Sequence, residues 1–128
     1  MPESEKATKS ADEEYIDYKE RNKLLWSLRS EFAWEGKKIP DSAEIDGQEY
    51  KLRNLVQELQ EKKPLDPDRT AEIRLLIPKL KEKAKANEEI LETEKLTKTE
   101  AGVLYEEATG LLRAAMELED ILEGKGGE

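Results

Sequence analysis

The chain has 128 residues, with 22 basic and 31 acidic side chains, a formal charge of −9, and neither histidine nor cysteine. Those absences remove the commonest general base near neutral pH, thiol chemistry, disulfides and nearly every zinc, haem or iron-sulfur site. With 36% hydrophobic against 41% charged residues, any core must be thin and built from helices whose outer faces carry Lys and Glu, which fits a bundle and not a sandwich or doubly wound sheet. One compact domain is the expectation for this length.

Residues 1 to 11 alternate charged and small polar side chains without an apolar period, so a disordered tail is expected there. The same polar start does not resemble a signal peptide, and no apolar run approaches the roughly 18 residues of a membrane span, which predicts a soluble, cytoplasmic protein. From Asp12 to Glu35 the pattern predicts one amphipathic helix. Asp12, Glu13 and Glu14 sit near its positive dipole end, Tyr18, Leu25, Leu28 and Phe32 form its stripe, Trp26 and Trp34 broaden it, and Gly36 ends it.

Asp46-Gly47 lies between short segments that alternate polar and apolar residues, the strongest hairpin signal in the chain, because a two-residue reversal needs positive φ at both positions. A β-hairpin over 43–50 follows, leaning on helices through Ile45, Tyr50 and Leu52, because an isolated ribbon is marginal in water. Leu52, Leu55, Val56 and Leu59 space a short helix over 52–63, stopped by Pro64.

Asp66-Pro67 reads as an N-cap followed by proline at the first helical position. The helix it opens, 67–95, carries a seam at Ile73, Ile77, Leu80, Ala84, Asn87 and Leu91, and contains Pro78, which predicts a kink or break near Leu75 to Ile77. Thr97-Lys98-Thr99-Glu100 matches a capping box and starts a final helix, 98–123, with a second seam at Ala101, Leu104, Ala108, Leu111, Ala115, Leu118 and Leu122. Gly124, Gly126 and Gly127 end it and leave a flexible tail at 124–128. The link between the two long helices is too short for anything but a reversal. The fold class is therefore mainly α with a small two-stranded β-hairpin: a single helical domain over 12–123, built as a bundle on a long C-terminal antiparallel helical hairpin.

Two constellations invite chemistry. Glu88, Glu89 and Glu92, with Glu117 and Asp120, resemble the acidic turns with which all-helical nucleotide pyrophosphatases hold magnesium against phosphates. If the chain reverses near residue 96, however, those turns stand on the order of 20 Å apart. The seams also turn their carboxylates away from the partner helix. Lys79, Lys81, Lys83 and Lys85 form a basic island, but spacing by two spreads them over different helix faces, and the net charge disfavours binding a phosphate backbone. Charge is uneven too: residues 67–96 hold seven acids and seven bases, residues 98–123 seven acids and two bases.

Trp26, Phe32, Trp34 and Tyr50 read either as a small aromatic core where ribbon meets helix or as anchors of a docking groove. Leu112 and Ile121 lie beside the seam, so they too are candidates for contact with a partner or a second copy. Asn87 interrupts its seam with an amide able to set register. From Arg21 onward the order of Ile39-Pro40, Glu44-Ile45-Asp46-Gly47, Glu49 and Leu52-Arg53, followed by a charged helical hairpin, resembles a family of small archaeal proteins of unknown function. The resemblance covers about residues 21–123 and implies no activity, ligand or catalytic residue. Pro78 departs from the straight long helix it implies.

Three readings emerge: a non-enzymatic helical protein-interaction module without cofactor, monomeric or a small homo-oligomer; a magnesium-dependent nucleotide phosphohydrolase using the acidic turns; and a nucleic-acid-associated regulator using the lysine island.

Overall fold

The computed structural model describes residues 14–61 and 66–124. The expected tail at 1–11, the part of the expected tail at 124–128 that follows Gly124, and the stop of the short helix at Lys63 and Pro64 lie outside these residues. Within them the chain is mainly α: helix α1 (Tyr18–Leu28), short helix α2 (Glu31–Glu35), strands β1 (Ala43–Ile45) and β2 (Gln48–Tyr50), then helices α3 (Leu52–Glu61), α4 (Pro67–Thr93) and α5 (Lys98–Leu122).

α4 and α5 pack along most of their lengths as the antiparallel pair read from their seams. Ile73, Ile77, Leu80, Ala84, Asn87 and Leu91 are buried on one side, Ala101, Ala108, Leu111, Ala115 and Leu118 on the other. Leu104 and Leu122 are only partly buried. Leu76, Ala114 and Ile121 fill the seam more completely, so Ile121 is a core residue and not a surface one. Asn87 donates its amide N–H to the Leu104 carbonyl at 3.2 Å and to a Glu107 carboxylate oxygen at 2.8 Å. Both bonds link facing turns and favour one register. The turn between the helices is closed as expected. Thr97 Oγ1 accepts from the Glu100 N–H at 3.1 Å and the Glu100 side chain accepts from the Thr97 N–H at 3.0 Å.

α4 runs through Pro78 without a break. Pro78 and Arg74, four residues earlier, both lie on the exposed side. There water can satisfy the carbonyl that loses its helical partner, so the proline does not divide the seam.

The hairpin forms in the predicted register, Ala43 opposite Tyr50 and Ile45 opposite Gln48. Its reversal uses positive φ at Asp46 (53°) and Gly47 (79°), the backbone that an Asp-Gly pair tolerates. Ile45 and Leu52 are buried and Tyr50 partly so. Lys79 Nζ reaches Asp46 at 2.7 Å and Lys83 Nζ donates to the Glu44 carbonyl at 2.8 Å, fastening the ribbon to α4.

From Glu14 onward, the single helix expected from Asp12 to Glu35 is replaced by three pieces. Glu14 to Asp17 is extended: the Ile16 N–H donates to the Leu96 carbonyl at 3.0 Å, and the Lys98 N–H to the Glu14 carbonyl at 2.7 Å. α1 begins only at Tyr18, behind a capping box in which Asp17 accepts from the Glu20 N–H at 2.7 Å and Glu20 from the Asp17 N–H at 3.0 Å. α1 then ends at Leu28, since Ser30 is extended at φ −107°, ψ 119°. The Leu28 carbonyl, released from helical pairing, accepts instead from Trp34 Nε1 at 2.7 Å. Breaking the helix here turns α2 onto α5, which a straight rod could not reach.

Candidate protein-interaction face

A backbone rotation of 100° per residue along α1 puts Leu24, Leu25 and Leu28 on one side and Tyr18, Asn22, Trp26, Lys19 and Lys23 on the other, within an arc of about 140°. Leu25 and Leu28 are buried, while Tyr18 is 80% and Trp26 75% exposed. Past the elbow Phe32 is 84% exposed. The aromatic core expected from Trp26, Phe32, Trp34 and Tyr50 therefore does not exist. Two of the four stand in solvent, Trp34 folds back to cover a helix end, and Tyr50 lines a different cleft of about 230 Å³ with Leu55, Arg69 and Ile73. The leucines occupy the inward arc, so the aromatic rings of the same helix are left outside.

Beside the exposed rings runs an open groove of about 860 Å³, lined by Tyr18, Arg21, Asn22, Leu25, Trp26, Arg29, Ser30 and Glu92. Two arginines fix its floor. Arg21 donates to the Leu91 carbonyl and, at 2.8 Å, to the Glu94 carbonyl, covering the negative C-terminal end of α4. Arg29 binds Glu88 and lies 3.6 Å from Glu92. Its hydrogen bond to Glu88 is the main reason its pKa is raised above the ordinary guanidinium value. Burial pushes the Glu88 carboxyl up, but Arg29 and then Lys85 outweigh it and hold the group below the usual carboxylate value. On the far side of α1, Ser27 and Tyr105 share a 2.6 Å hydroxyl hydrogen bond. The face is thus held rigidly without using its own rings, as a preformed docking surface requires.

The other candidates are distributed as follows. Leu112 is partly buried in a cleft of about 400 Å³ with Leu28, Trp34 and Ala84. Ile121 is 3% exposed and unavailable to a partner. The acidic turns do not converge: Glu88 answers Arg29 and Lys85, Glu117 answers Arg113 at 2.7 Å, and Glu119 answers Lys81 at 2.8 Å. Glu89 and Asp120 join none of these pairs, and among the described residues no three acidic side chains gather where they could hold a metal. The lysine island disperses in the same way, to Asp46, Glu119, the Glu44 carbonyl and Glu88 for Lys79, Lys81, Lys83 and Lys85.

Sequence reasoning missed the arginine anchors Arg21 and Arg29, since no spacing rule announces a contact some 60 to 70 residues away. It also passed over Asp17-x-x-Glu20, a capping signature that marks the true start of α1.

A family model described as a family of unknown function, DUF5788, matches residues 16–127. The chain belongs to that family. Its match begins at Ile16, at the strap before α1, and takes in the exposed rings, the hairpin and both long helices. No curated protein and no solved structure matches the chain. No helix among the described residues is long and apolar enough to cross a membrane.

Proposed function

We propose that this protein is a non-enzymatic interaction module whose docking face is the aromatic side of α1 and α2. One observation carries the reading: Tyr18, Trp26 and Phe32 are at least 75% exposed in a chain that has only seven aromatic residues and buries most of its described leucines. Exposed Trp and Tyr on a rigid helix are the usual anchors of protein interfaces, because they supply large contact area at little conformational cost. An archaeal origin, implied by the sequence resemblance, and a cytoplasmic setting belong to the same reading.

The test is site-specific photo-crosslinking in the native host. A photoreactive phenylalanine replaces Asn22, between Tyr18 and Trp26, or Gln60, exposed on α3. A discrete protein adduct from position 22, absent from position 60 and lost when Trp26 and Phe32 become Ala, is the expected result. Adducts of equal yield at both positions, or none at 22, would remove the docking face.

A further inference from the structure

The charge along the docking face differs from that of the rest of the molecule. Lys19 and Lys23, one turn apart on α1, are exposed and form no ion pair among the described residues. On the helical wheel they border Trp26. The nearby acids are already engaged. Glu20 accepts from the Asp17 N–H at 3.0 Å and lies 3.4 Å from Lys98 Nζ, and Glu88 and Glu92 are held by Arg29. Glu31 is exposed just past the elbow, which confines the basic strip to α1. The result is two cations unpaired among the described residues, beside two exposed rings, on a chain whose formal charge is −9.

Resting on the proposed docking role, we infer that the occupant of this face is an acidic amphipathic helix of a partner protein. It lies along α1, its aliphatic side chains against Tyr18 and Trp26 and its carboxylates on Lys19 and Lys23. From Tyr18 to Arg29 the strip is about 17 Å long, three helical turns, matching the i, i+3, i+4, i+7 anchors of a docked helix. At physiological ionic strength charges beyond about 8 Å are largely screened, so the local lysines govern the contact. The acidic remainder of the surface disfavours the same segment elsewhere, which gives the site its specificity.

The probe is a fluorescein-labelled peptide of about 18 residues, long enough to be helical, with Leu at helical spacing and Glu between, paired with a version carrying Lys in place of Glu. Anisotropy should show saturable binding of the Glu peptide to the full-length protein. Trp26→Ala should weaken it about tenfold, and Lys19→Glu with Lys23→Glu about tenfold or more, while that charge-swapped protein acquires binding of the Lys peptide. Both lysines are exposed, and circular dichroism checks that the swap leaves the helices intact. Binding of the Lys peptide to the wild type, sedimentation with anionic phosphatidylserine vesicles in place of peptide binding, or no Trp26-dependent binding of the Glu peptide would each overturn the acidic occupant. If the crosslink at position 22 persists in any of those cases, the docking face stands and only its partner's chemistry is wrong; if the crosslink is absent, the face itself is lost.

Discussion

Along α4 and α5 the residues spaced four and three apart are the ones withdrawn from water, while along α1 and α2 three of the four aromatic side chains, Tyr18, Trp26 and Phe32, remain in it. The long pair is held by burial: Leu80, Leu91, Leu111 and Leu118 are fully enclosed, each contributing about 1.5–3 kcal/mol over an exposed state. The N-terminal elbow rests on two buried leucines of α1 and on polar side chains that reach across to backbone. Arg21 caps α4, Trp34 caps α1, and Arg113 donates to the Glu35 carbonyl at 2.9 Å behind α2. A region fixed by such directional bonds can leave its rings free for another molecule; a region fixed by burial cannot.

The largest expected effect sets the two regions directly against each other. Leu118→Ala should cost about 2–5 kcal/mol, because it opens a cavity in an enclosed seam. Trp26→Ala removes a larger side chain yet should stay within about 0.5 kcal/mol, as a surface change away from any such feature does. Urea denaturation of the two variants checks this. A Trp26→Ala loss comparable to that of Leu118→Ala would mean that the ring is covered in solution by something the isolated fold does not show.

Next comes a contrast within α5. A Cβ at Gly110 would lie 3.2 Å from the Lys38 carbonyl oxygen and 3.2 Å from the Pro40 ring, whereas one at Gly102 meets nothing within 4 Å. The loop carrying Lys38 and Pro40 is itself clamped by Arg53, which donates to the Ile39 carbonyl at 2.6 Å and pairs with Asp41 at 2.7 Å, so it has little freedom to retreat. Gly110→Val should therefore destabilise by about 1–3 kcal/mol through overpacking. Gly102→Ala should stabilise by up to about 1 kcal/mol through helix propensity alone. Thermal melts of both variants would sharpen the comparison, and a Gly110→Val melt equal to wild type would show the loop to be yielding.

Smaller again is the Arg21 anchor. Arg21→Ala leaves the last carbonyls of α4 to water and should cost about 1 kcal/mol, near the ordinary net value of such bonds. Arg21→Lys should recover only part of it, lacking the fork that meets the Leu91 and Glu94 carbonyls together. Amide hydrogen exchange localises the effect: faster exchange should be confined to the elbow and the end of α4. Uniform acceleration through α5 would instead tie the elbow to the seam.

These contrasts explain which parts of the fold could be read from sequence. The seams of α4 and α5, the Asp46-Gly47 reversal and both capping signatures around 66 and 97 are local: each is decided by residues within a turn or two of one another, and each appears where expected. The elbow is not local. Whether the chain continues as helix through Arg29 depends on Trp34 reaching back to Leu28 and on α5 being there to receive α2. Aromatic residues at helical spacing predicted a core because composition carries no information about which side of a helix its leucines will claim. The acidic turns and the lysine island were visible as clusters in sequence, but neither acts as a unit once the chain folds: Glu88, Glu117 and Glu119 answer different bases, and the four lysines reach four different groups.

The finest distinction between the regions is titration. Glu88, 12% exposed at its side chain, is held below its usual value near 4.5 by Arg29 and Lys85 against the opposing push of burial. A carboxylate depressed by folding contributes stability that is fully present above its unfolded value and is lost as pH falls through its folded one. The Arg29–Glu88 contact joining α1 to α4 should therefore weaken only below about pH 4.5, while the apolar seam, with nothing to protonate, keeps its own contribution. Urea midpoints should fall from pH 6 to pH 3 in the wild type and fall less steeply in Glu88→Gln, with the difference between the two proteins shrinking toward the acid end as the wild type loses a charge that the variant never carries at this position. Parallel acid limbs would show that the salt bridge contributes no net stability, and that the two leucines and the arginine cap on α4 are sufficient to hold the elbow.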